Sequence, residues 1–341
     1  MTDDLSREDR SLLEAIQRVL PICERPFEAL GLPIGLGEDA VIERLEGLKA
    51  SGILRTICAV FDTRSLGYKS ALAAVRVADE NVEKAAAAIS AHPGVSHNYQ
   101  RPHAYNIWFT LATPPGSDFD EELKSLAVSA GALASISLPS LRVFRIGVRL
   151  DLSGNGKQAA ARPVRSGPSA TQEPLDAFDK AAVLAMQEDF LLVPEPYDAI
   201  AQRLDSSVPT LFSWINRMQE EGRLRRISGL LRHRRVGYQA NGMTVWQIPE
   251  ERVDAFGRFA ADIEAISHCY ERPTGPDWPY NMYTMIDGKR PEDCEAVVRQ
   301  LEEAFEPFPH EILYSTREFK KERIRYFVEA SAVESEVVQQ P

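Results

Sequence analysis

The chain carries one seven-residue motif twice, almost unchanged and 171 positions apart. Residues 96–102 are SHNYQRP and residues 267–273 are SHCYERP. Shorter matches keep the same order on both sides, such as Gly52 with Gly222 upstream and Tyr105 with Tyr280 downstream. Solenoid repeats are about 20–50 residues long, so a period of this length indicates duplication of larger units. The sequence therefore predicts two homologous halves, and a His-Tyr-Arg motif is their best-kept stretch.

Composition excludes several classes of protein. A length of 341 residues predicts two domains, and 44% hydrophobic with 26% charged residues is typical of an ordinary soluble globular protein. No apolar run approaches a membrane span and the start is acidic, so we expect a cytoplasmic protein without a membrane partner. The net charge of −11 opposes binding to nucleic acid. The cysteines form no CxxC pair, which argues against a zinc or iron–sulfur site; they are Cys23, Cys58, Cys269 and Cys294.

Hydrophobic periodicity predicts the same two domains in each half. Three helical stripes followed by an apolar ribbon indicate a winged helix-turn-helix, and the remainder follows the order βαββαβ of a ferredoxin-like domain. We predict that the last strands of these domains are residues 141–148 and 311–316. The expected fold class is thus α+β, with two tandem copies of a winged helix plus a ferredoxin-like domain arranged as a pseudo-dimer.

The domain boundaries follow from these patterns. A stretch rich in Ser, Gly, Ala and Pro separates the halves, and a flexible linker of 24 residues spans about 25–30 Å, long enough for the two sheets to pair. We predict winged helices at 6–62 and 175–233, ferredoxin-like domains at 63–150 and 234–327, a linker at 151–174, and a solvated tail at 328–341.

This layout resembles that of the Lrp/AsnC transcription regulators, and more closely that of the siroheme decarboxylases. The resemblance rests on RISGLLRHRRVGY at 226–238, SHCYERP at 267–273 and PDWPYNMY at 276–283. The second half is similar to the B-type or L-type subunit. The first half, with FRIGV at 144–148, is similar to the A-type or D-type subunit. A fused pair of this kind resembles the D–L fusion of denitrifying bacteria.

The resemblance implies an enzyme, a carboxy-lyase of heme d1 or alternative heme biosynthesis. Such an enzyme removes two acetate carboxylates of siroheme as CO2 and yields 12,18-didecarboxysiroheme. The partner it implies is an iron tetrapyrrole, together with homologous subunits of the same pathway or a second copy of the chain. No cofactor is expected, because the macrocycle can delocalise the charge left by decarboxylation. The iron is part of the substrate, so no metal site is predicted.

Cations suit this substrate, because siroheme is a flat ring that bears eight carboxylates. Seven cationic or ionisable side chains fall within the 13 positions 223–235. They can equally form a solvated wing or contact a DNA backbone. The candidate substrate-binding cations are Arg225, Arg226, Arg232, His233 and Arg235, with Arg145 and Lys320 near the end of each half.

The catalytic candidates alternate along one strand of each half. His268, Tyr270 and Arg272 face one side of a strand, as do His97, Tyr99 and Arg101 of the first half. A proton donor should titrate near neutrality, which favours histidine. The alternative is a structural histidine. The predicted catalytic residues are His268, His97, Tyr270, Arg272 and Arg101, with His268 preferred to His97 because the second half keeps the fuller family pattern.

Aromatic residues follow both motifs and are candidates for ring stacking or proton relay: His103, Tyr105, Trp278 and Tyr280. Cys269 or Cys58 as an iron ligand is less favoured than a buried structural thiol, and an axial histidine stays open. The sequence also leaves open which half holds the site.

The rival hypothesis is a DNA-binding regulator that senses a small molecule. The winged-helix layout supports it. However, the expected recognition helix at 37–51 contains four carboxylates against two cations, and a helix in the major groove needs the opposite balance.

Overall fold

The computed structural model describes residues 5–146, 173–231, 240–288 and 290–328. Three candidate cations, Arg232, His233 and Arg235, lie outside these residues. So do nearly all of the predicted linker and tail.

Each half begins with three helices and a strand. Side-chain caps define several helix starts: Ser6 accepts a hydrogen bond from the Asp9 amide, and Asp176 forms a capping box with Asp179. The elements are α1 (Arg7–Arg18), α2 (Pro26–Gly31), α3 (Glu38–Ala50) and β1 (Leu54–Phe61) in the first half, and α6 (Ala177–Met186), α7 (Pro196–Arg203), α8 (Val208–Glu220) and β7 (Leu224–Leu231) in the second.

The two winged helices share one sheet and one core. Strands β1 and β7 pair antiparallel, so each wing strand completes the other. Gly229 lies opposite Ile57, and a Cβ there would lie 3.0 Å from two side-chain carbons of Ile16, so the close approach favours glycine. The C-terminal residues Tyr326 and Phe327 are buried in the same core.

Each half continues into a ferredoxin-like domain. The first contains β2 (Lys69–Arg76), α4 (Val82–Ala91), β3 (Val95–Gln100), β4 (Ile107–Thr113), α5 (Phe119–Ser129) and β5 (Ala134–Leu138). The second contains β8 (Ala240–Trp246), α9 (Glu250–Asp262), β9 (Ile266–Glu271), β10 (Met282–Gly288), α10 (Pro291–Ala304) and β11 (His310–Tyr314). The strand orders β5-β2-β4-β3 and β11-β8-β10-β9 are equivalent. The predicted fold class is confirmed.

The halves exchange their last strands. Strand β6 (Arg142–Ile146) follows the first half but pairs with β9 of the second, and β12 (Arg317–Lys321) follows the second half but pairs with β3 of the first. Each five-stranded sheet therefore contains one strand from the opposite half.

The exchange corrects one prediction. We expected residues 141–148 to close the first ferredoxin-like domain, but β5 is its fourth strand and β6 belongs to the other sheet. A period of two identifies a strand without identifying its partner, and β5 is short and contains two serines. The closing strand predicted at 311–316 corresponds to β11.

The two five-stranded sheets pack face to face through an apolar cluster with residues from both halves. Trp108 and Trp278 are almost fully buried, and their ring centroids are 5.1 Å apart. Around them lie Ala74, Ile136 and Leu138 of the first half and Met243, Val245, Tyr283 and Leu313 of the second. The predicted pseudo-dimer with paired sheets is thus confirmed.

The exchanged strand β6 packs closely on α9. A Cβ on Gly257 would lie 2.6 Å from three ring atoms of Phe144, which is too close for any real contact. The Cys269 thiol contacts the carbonyl of Gly257 from the neighbouring strand. Gly257 therefore provides the space in which the exchanged strand docks.

We expect Gly257→Ala to destabilise the protein by about 1–2 kcal/mol, because overpacking against Phe144 outweighs the better helix propensity of alanine. Gly47 is the matched control: it lies inside α3 with nothing near its would-be Cβ. Gly47→Ala should stabilise by about 0.5–1 kcal/mol. Urea unfolding measures both variants, and equal stabilisation by the two would contradict the packing described here.

Candidate active site

The motif histidines and tyrosines of both halves face the interface between the sheets. On β9, Cys269 points to α9, so His268 and Tyr270 point to the opposite face. The His268 and Tyr270 ring centroids are 5.9 Å apart, and those of His97 and Tyr99 are 6.2 Å apart. We call these four residues the His–Tyr cluster.

The two histidines are within electrostatic range of each other, and burial favours the neutral form of both. Burial lowers the pKa of His268 to about 4 and that of His97 to about 4. Further causes for His97 are the positive charges of Lys321 and Arg55 and the nearby His268. The expected pKa near neutrality is therefore wrong for the free protein, because desolvation disfavours the charged imidazole.

Cations from both halves surround this cluster. Burial is the main cause that raises the pKa of Tyr270 to about 12, and the charges of Arg272, Arg225 and Arg64 oppose this rise. Arg64 follows strand β1 of the first half, yet it acts on a tyrosine of the second. The surroundings of the second His–Tyr pair are thus built from both halves.

The wing strand β7 presents two of the predicted substrate-binding cations. Arg225 is exposed and forms an ion pair with Asp62 of the first half. Arg226 donates from its Nε to Ser228 Oγ at 3.0 Å. Of the two, Arg225 is the one that acts on the His–Tyr cluster.

The motif arginines connect the halves. Arg101 donates to the Leu313 carbonyl, and Arg272 donates to the Leu138 carbonyl, so each arginine reaches the fourth strand of the opposite half. They are only 3% and 9% exposed. Their guanidinium groups also lie over the motif tyrosines, with Arg272 at 4.7 Å from the Tyr270 ring. This placement is structural, and a catalytic role for either arginine stays a prediction.

The side chains of Arg145 and Lys320 donate hydrogen bonds to the C-terminal ends of two helices and do not point to the His–Tyr cluster. Arg145 on β6 donates to the carbonyls of Ala261 and Ile263 at the end of α9, at 2.8 and 2.7 Å. Lys320 on β12 donates at 2.8 Å to the Ser90 carbonyl near the end of α4. A cation at a helix C-terminus is favourable. The exchanged strands therefore cap the helices of the opposite half. The charge of Arg145 still contributes to lowering the pKa of His268, and substrate binding by Arg145 or Lys320 stays a prediction.

The four aromatic candidates form a second group, in the loops after β3 and β9. Trp278 is fully buried and contacts His103, Tyr105 and Tyr280. Tyr105 donates to Asp277 at 2.9 Å, and Tyr280 donates to Glu311 at 2.6 Å. The contacts of Trp278 with His103 and Tyr105 join the halves, as does the bond from Tyr105 to Asp277, whereas Tyr280 and Glu311 belong to the same half. Tyr270 of the His–Tyr cluster packs against the same apolar cluster as Tyr105 and Trp278, and ring stacking on the substrate stays a prediction.

Comparison with known proteins decides the family. Residues 9–55 and 179–225 match the family described as "Siroheme decarboxylase NirDL-like HTH domain", and residues 65–145 and 235–320 match "AsnC-like ligand binding domain". The chain is 36% identical to a siroheme decarboxylase of Hydrogenobacter thermophilus over 95% of this chain and 96% of that protein.

The chain belongs to the siroheme decarboxylase family.

A solved structure agrees with this assignment. The crystal structure of the siroheme decarboxylase NirDL in co-complex with an iron-uroporphyrin III analogue superposes with a TM-score of 0.76 and 33% identity, covering 97% of this chain and 99% of that chain. Some family members are separate subunits. A siroheme decarboxylase beta subunit of Methanosarcina barkeri is 34% identical over 44% of this chain and 99% of that protein.

Two cations near the His–Tyr cluster were not among the residues predicted from the sequence. Arg55 acts on His97, and Arg64 acts on Tyr270. The internal repeat carried the signal for both. At an offset of 170, Arg55 aligns with the candidate Arg225, and Arg64 aligns with Arg234.

The cysteines show no sign of metal binding. Cys58 is buried and accepts a contact from Arg323 at 2.7 Å, and Cys269 points away from His268 to α9. Across the described ranges, no group of three His, Cys, Asp or Glu side chains is arranged to hold a metal ion. In the same ranges, every helix is too short or too polar to cross a bilayer.

Acidification should destabilise the folded chain through its two motif histidines. Unfolded histidine binds a proton near pH 6.5, whereas folded His97 and His268 do so near pH 4. Between these values the unfolded state holds more protons, so stability is full above pH 6.5 and is lost as the pH falls toward 4. Urea unfolding at several pH values should show a shallower loss for His268→Gln with His97→Gln than for wild type. Identical pH dependence would show that these histidines are not desolvated.

Proposed function

We propose that this chain removes two acetate carboxylates of siroheme as CO2, giving 12,18-didecarboxysiroheme for heme d1 synthesis. The observation that carries the proposal is membership of the siroheme decarboxylase family over nearly the full chain. The His–Tyr cluster supports it, because proton donors lie there beside cations from both halves.

The cations bind the substrate and the histidine supplies a proton. Arg64 and Arg225 hold carboxylates of the siroheme rim as charge-assisted pairs. Those carboxylates bring negative charge next to His268 and raise its pKa, because an opposite charge favours the imidazolium. The substrate thereby charges the acid that later protonates it.

The reaction itself needs few groups. The bond between the acetate methylene and its carboxylate breaks, CO2 leaves, and the electron pair stays on the methylene carbon. The macrocycle delocalises that charge, so the reaction is proposed to need no cofactor. A proton from His268 then converts the methylene to a methyl group, and solvent replaces the proton. Tyr270, whose pKa is raised to about 12 mainly by burial, stays protonated and donates a hydrogen bond.

The DNA-binding alternative has less support. The relatives that match along nearly the full chain are decarboxylases. In this fold the wing strands β1 and β7 pair with each other.

The decisive assay is anaerobic incubation of the purified chain with siroheme, followed by mass spectrometry for loss of one or two CO2. We expect His268→Ala to bind siroheme but to react about a hundredfold more slowly, which is the usual size of a lost general acid. His97→Ala in the same assay distinguishes the two halves.

Each outcome of that assay has a meaning. Loss of activity in His97→Ala together with full activity in His268→Ala would place the reaction in the first half. Full activity of both variants would remove histidine as the proton donor. No loss of CO2 by the wild-type chain would contradict the proposed function.

Substrate affinity should depend on Arg64. It is exposed, so Arg64→Ala should leave the fold intact while removing a charge-assisted pair worth about 1.5–3 kcal/mol, or about 10–150-fold in Kd. Arg258→Ala is the control, because Arg258 is exposed on α9 and pairs only weakly with Asp254. Absorbance titration with siroheme measures both, and equal affinities would place the carboxylates elsewhere.

A further inference from the structure

We propose that Ser267 is a positioning residue that holds His268 as the tautomer protonated on Nδ1, so that Nε2 is the nitrogen that gains and delivers the catalytic proton. The catalytic part of this inference rests on the proposed function, whereas the tautomer is a property of the free protein.

The inference comes from a chain of two hydrogen bonds. The Ser267 hydroxyl is 3.2 Å from the Met285 carbonyl, and its oxygen is 3.1 Å from His268 Nδ1. A carbonyl only accepts, and a hydroxyl has one proton to donate. When that proton goes to Met285, the serine oxygen must accept from the imidazole. Protonation of Nδ1 is therefore the arrangement that satisfies all three groups.

A bulge in β9 creates this geometry. Met285 pairs with His268, and the next residue of β10, Ile286, pairs with Ile266, so Ser267 is the extra residue. A bulge redirects the side chain of the residue that has no partner. Ser267 is only 7% exposed, which keeps water from competing for its hydroxyl. The bulge thus fixes the serine beside both the carbonyl and the ring.

The first half has the same bulge without the complete chain of bonds. The pairing of β3 with β4 also skips Ser96, and Ser96 Oγ is 2.9 Å from His97 Nδ1. Among the described residues, no carbonyl accepts from the Ser96 hydroxyl. That hydroxyl is able to donate to Nδ1, which permits the other tautomer of His97. The two histidines therefore differ in what fixes their protonation.

The hydrogen bond to Ser267 determines which ring nitrogen of His268 delivers the catalytic proton. Nδ1 already carries the proton that it donates to Ser267. The proton that His268 takes up on substrate binding therefore enters at Nε2, on the far side of the ring. During decarboxylation the C–C electron pair remains on the methylene carbon and takes that proton. His268 then returns to its neutral form, still protonated on Nδ1. Without Ser267 the neutral ring is free to place its only proton on Nε2 and to lose this order.

Nitrogen NMR of protein labelled with ¹⁵N in its histidines tests the tautomer directly, near pH 7.5 and without substrate. His268→Gln identifies the His268 signals. We expect wild-type His268 to show a protonated Nδ1 and an unprotonated Nε2. Ser267→Ala should shift the equilibrium toward protonated Nε2, Ser267→Thr should restore the wild-type pattern, and Ser96→Ala should leave His268 unchanged.

Kinetics test the catalytic part separately. Ser267→Ala should lower kcat about tenfold with little change in KM, and Ser267→Thr should recover most of it. Wild-type His268 protonated on Nε2, or a pattern unaffected by Ser267→Ala, would overturn the tautomer assignment whatever the activity. An inactive wild-type chain with the expected NMR pattern would instead contradict only the proposed function. Altered tautomer with unchanged kcat would overturn the positioning role.

Discussion

The reciprocal exchange of β6 and β12 is the constraint on which the other features depend. Each strand completes the sheet that carries the motif of the opposite half, with Ile146 beside His268 and Lys321 beside His97. The same strands bring Arg145 and Lys320 to the ends of α9 and α4. Neither His–Tyr pair would have its present surroundings in an isolated half, because one neighbouring strand and some of the neighbouring charges come from across the interface.

The electrostatics of the cluster follow from this shared construction. An interface that buries histidine lowers its pKa, and cations brought from both halves lower it further. The same cations favour a ligand that carries many carboxylates. The free protein therefore keeps its histidines neutral, and a polyanionic ring is the kind of ligand that would reverse this state.

The internal repeat allowed most of the fold to be predicted, because duplicated landmarks fixed the order of domains in both halves. It also identified His268 and Tyr270 as residues of one strand face. It did not predict the exchange, since the sequence of β6 indicates a strand without indicating that its partner is β9 of the other half. Arg272 was predicted as a catalytic residue and Trp278 as a stacking residue, and their contacts between the halves were not predicted. Side-chain chemistry shows what a residue can bind, whereas its partner depends on three-dimensional packing.

Strand exchange also delays completion of the first sheet until nearly the whole chain has been synthesised. β3 is complete when residue 100 has been made, but its neighbour β12 lies at Arg317–Lys321, near the other end of the chain. At about 5–20 residues per second, the ribosome needs on the order of tens of seconds to supply that strand. Until then the edge of β3, with His97 on it, has unpaired backbone groups, and such edges invite pairing with other chains. The nascent first half is therefore the stage of synthesis most in need of protection from aggregation.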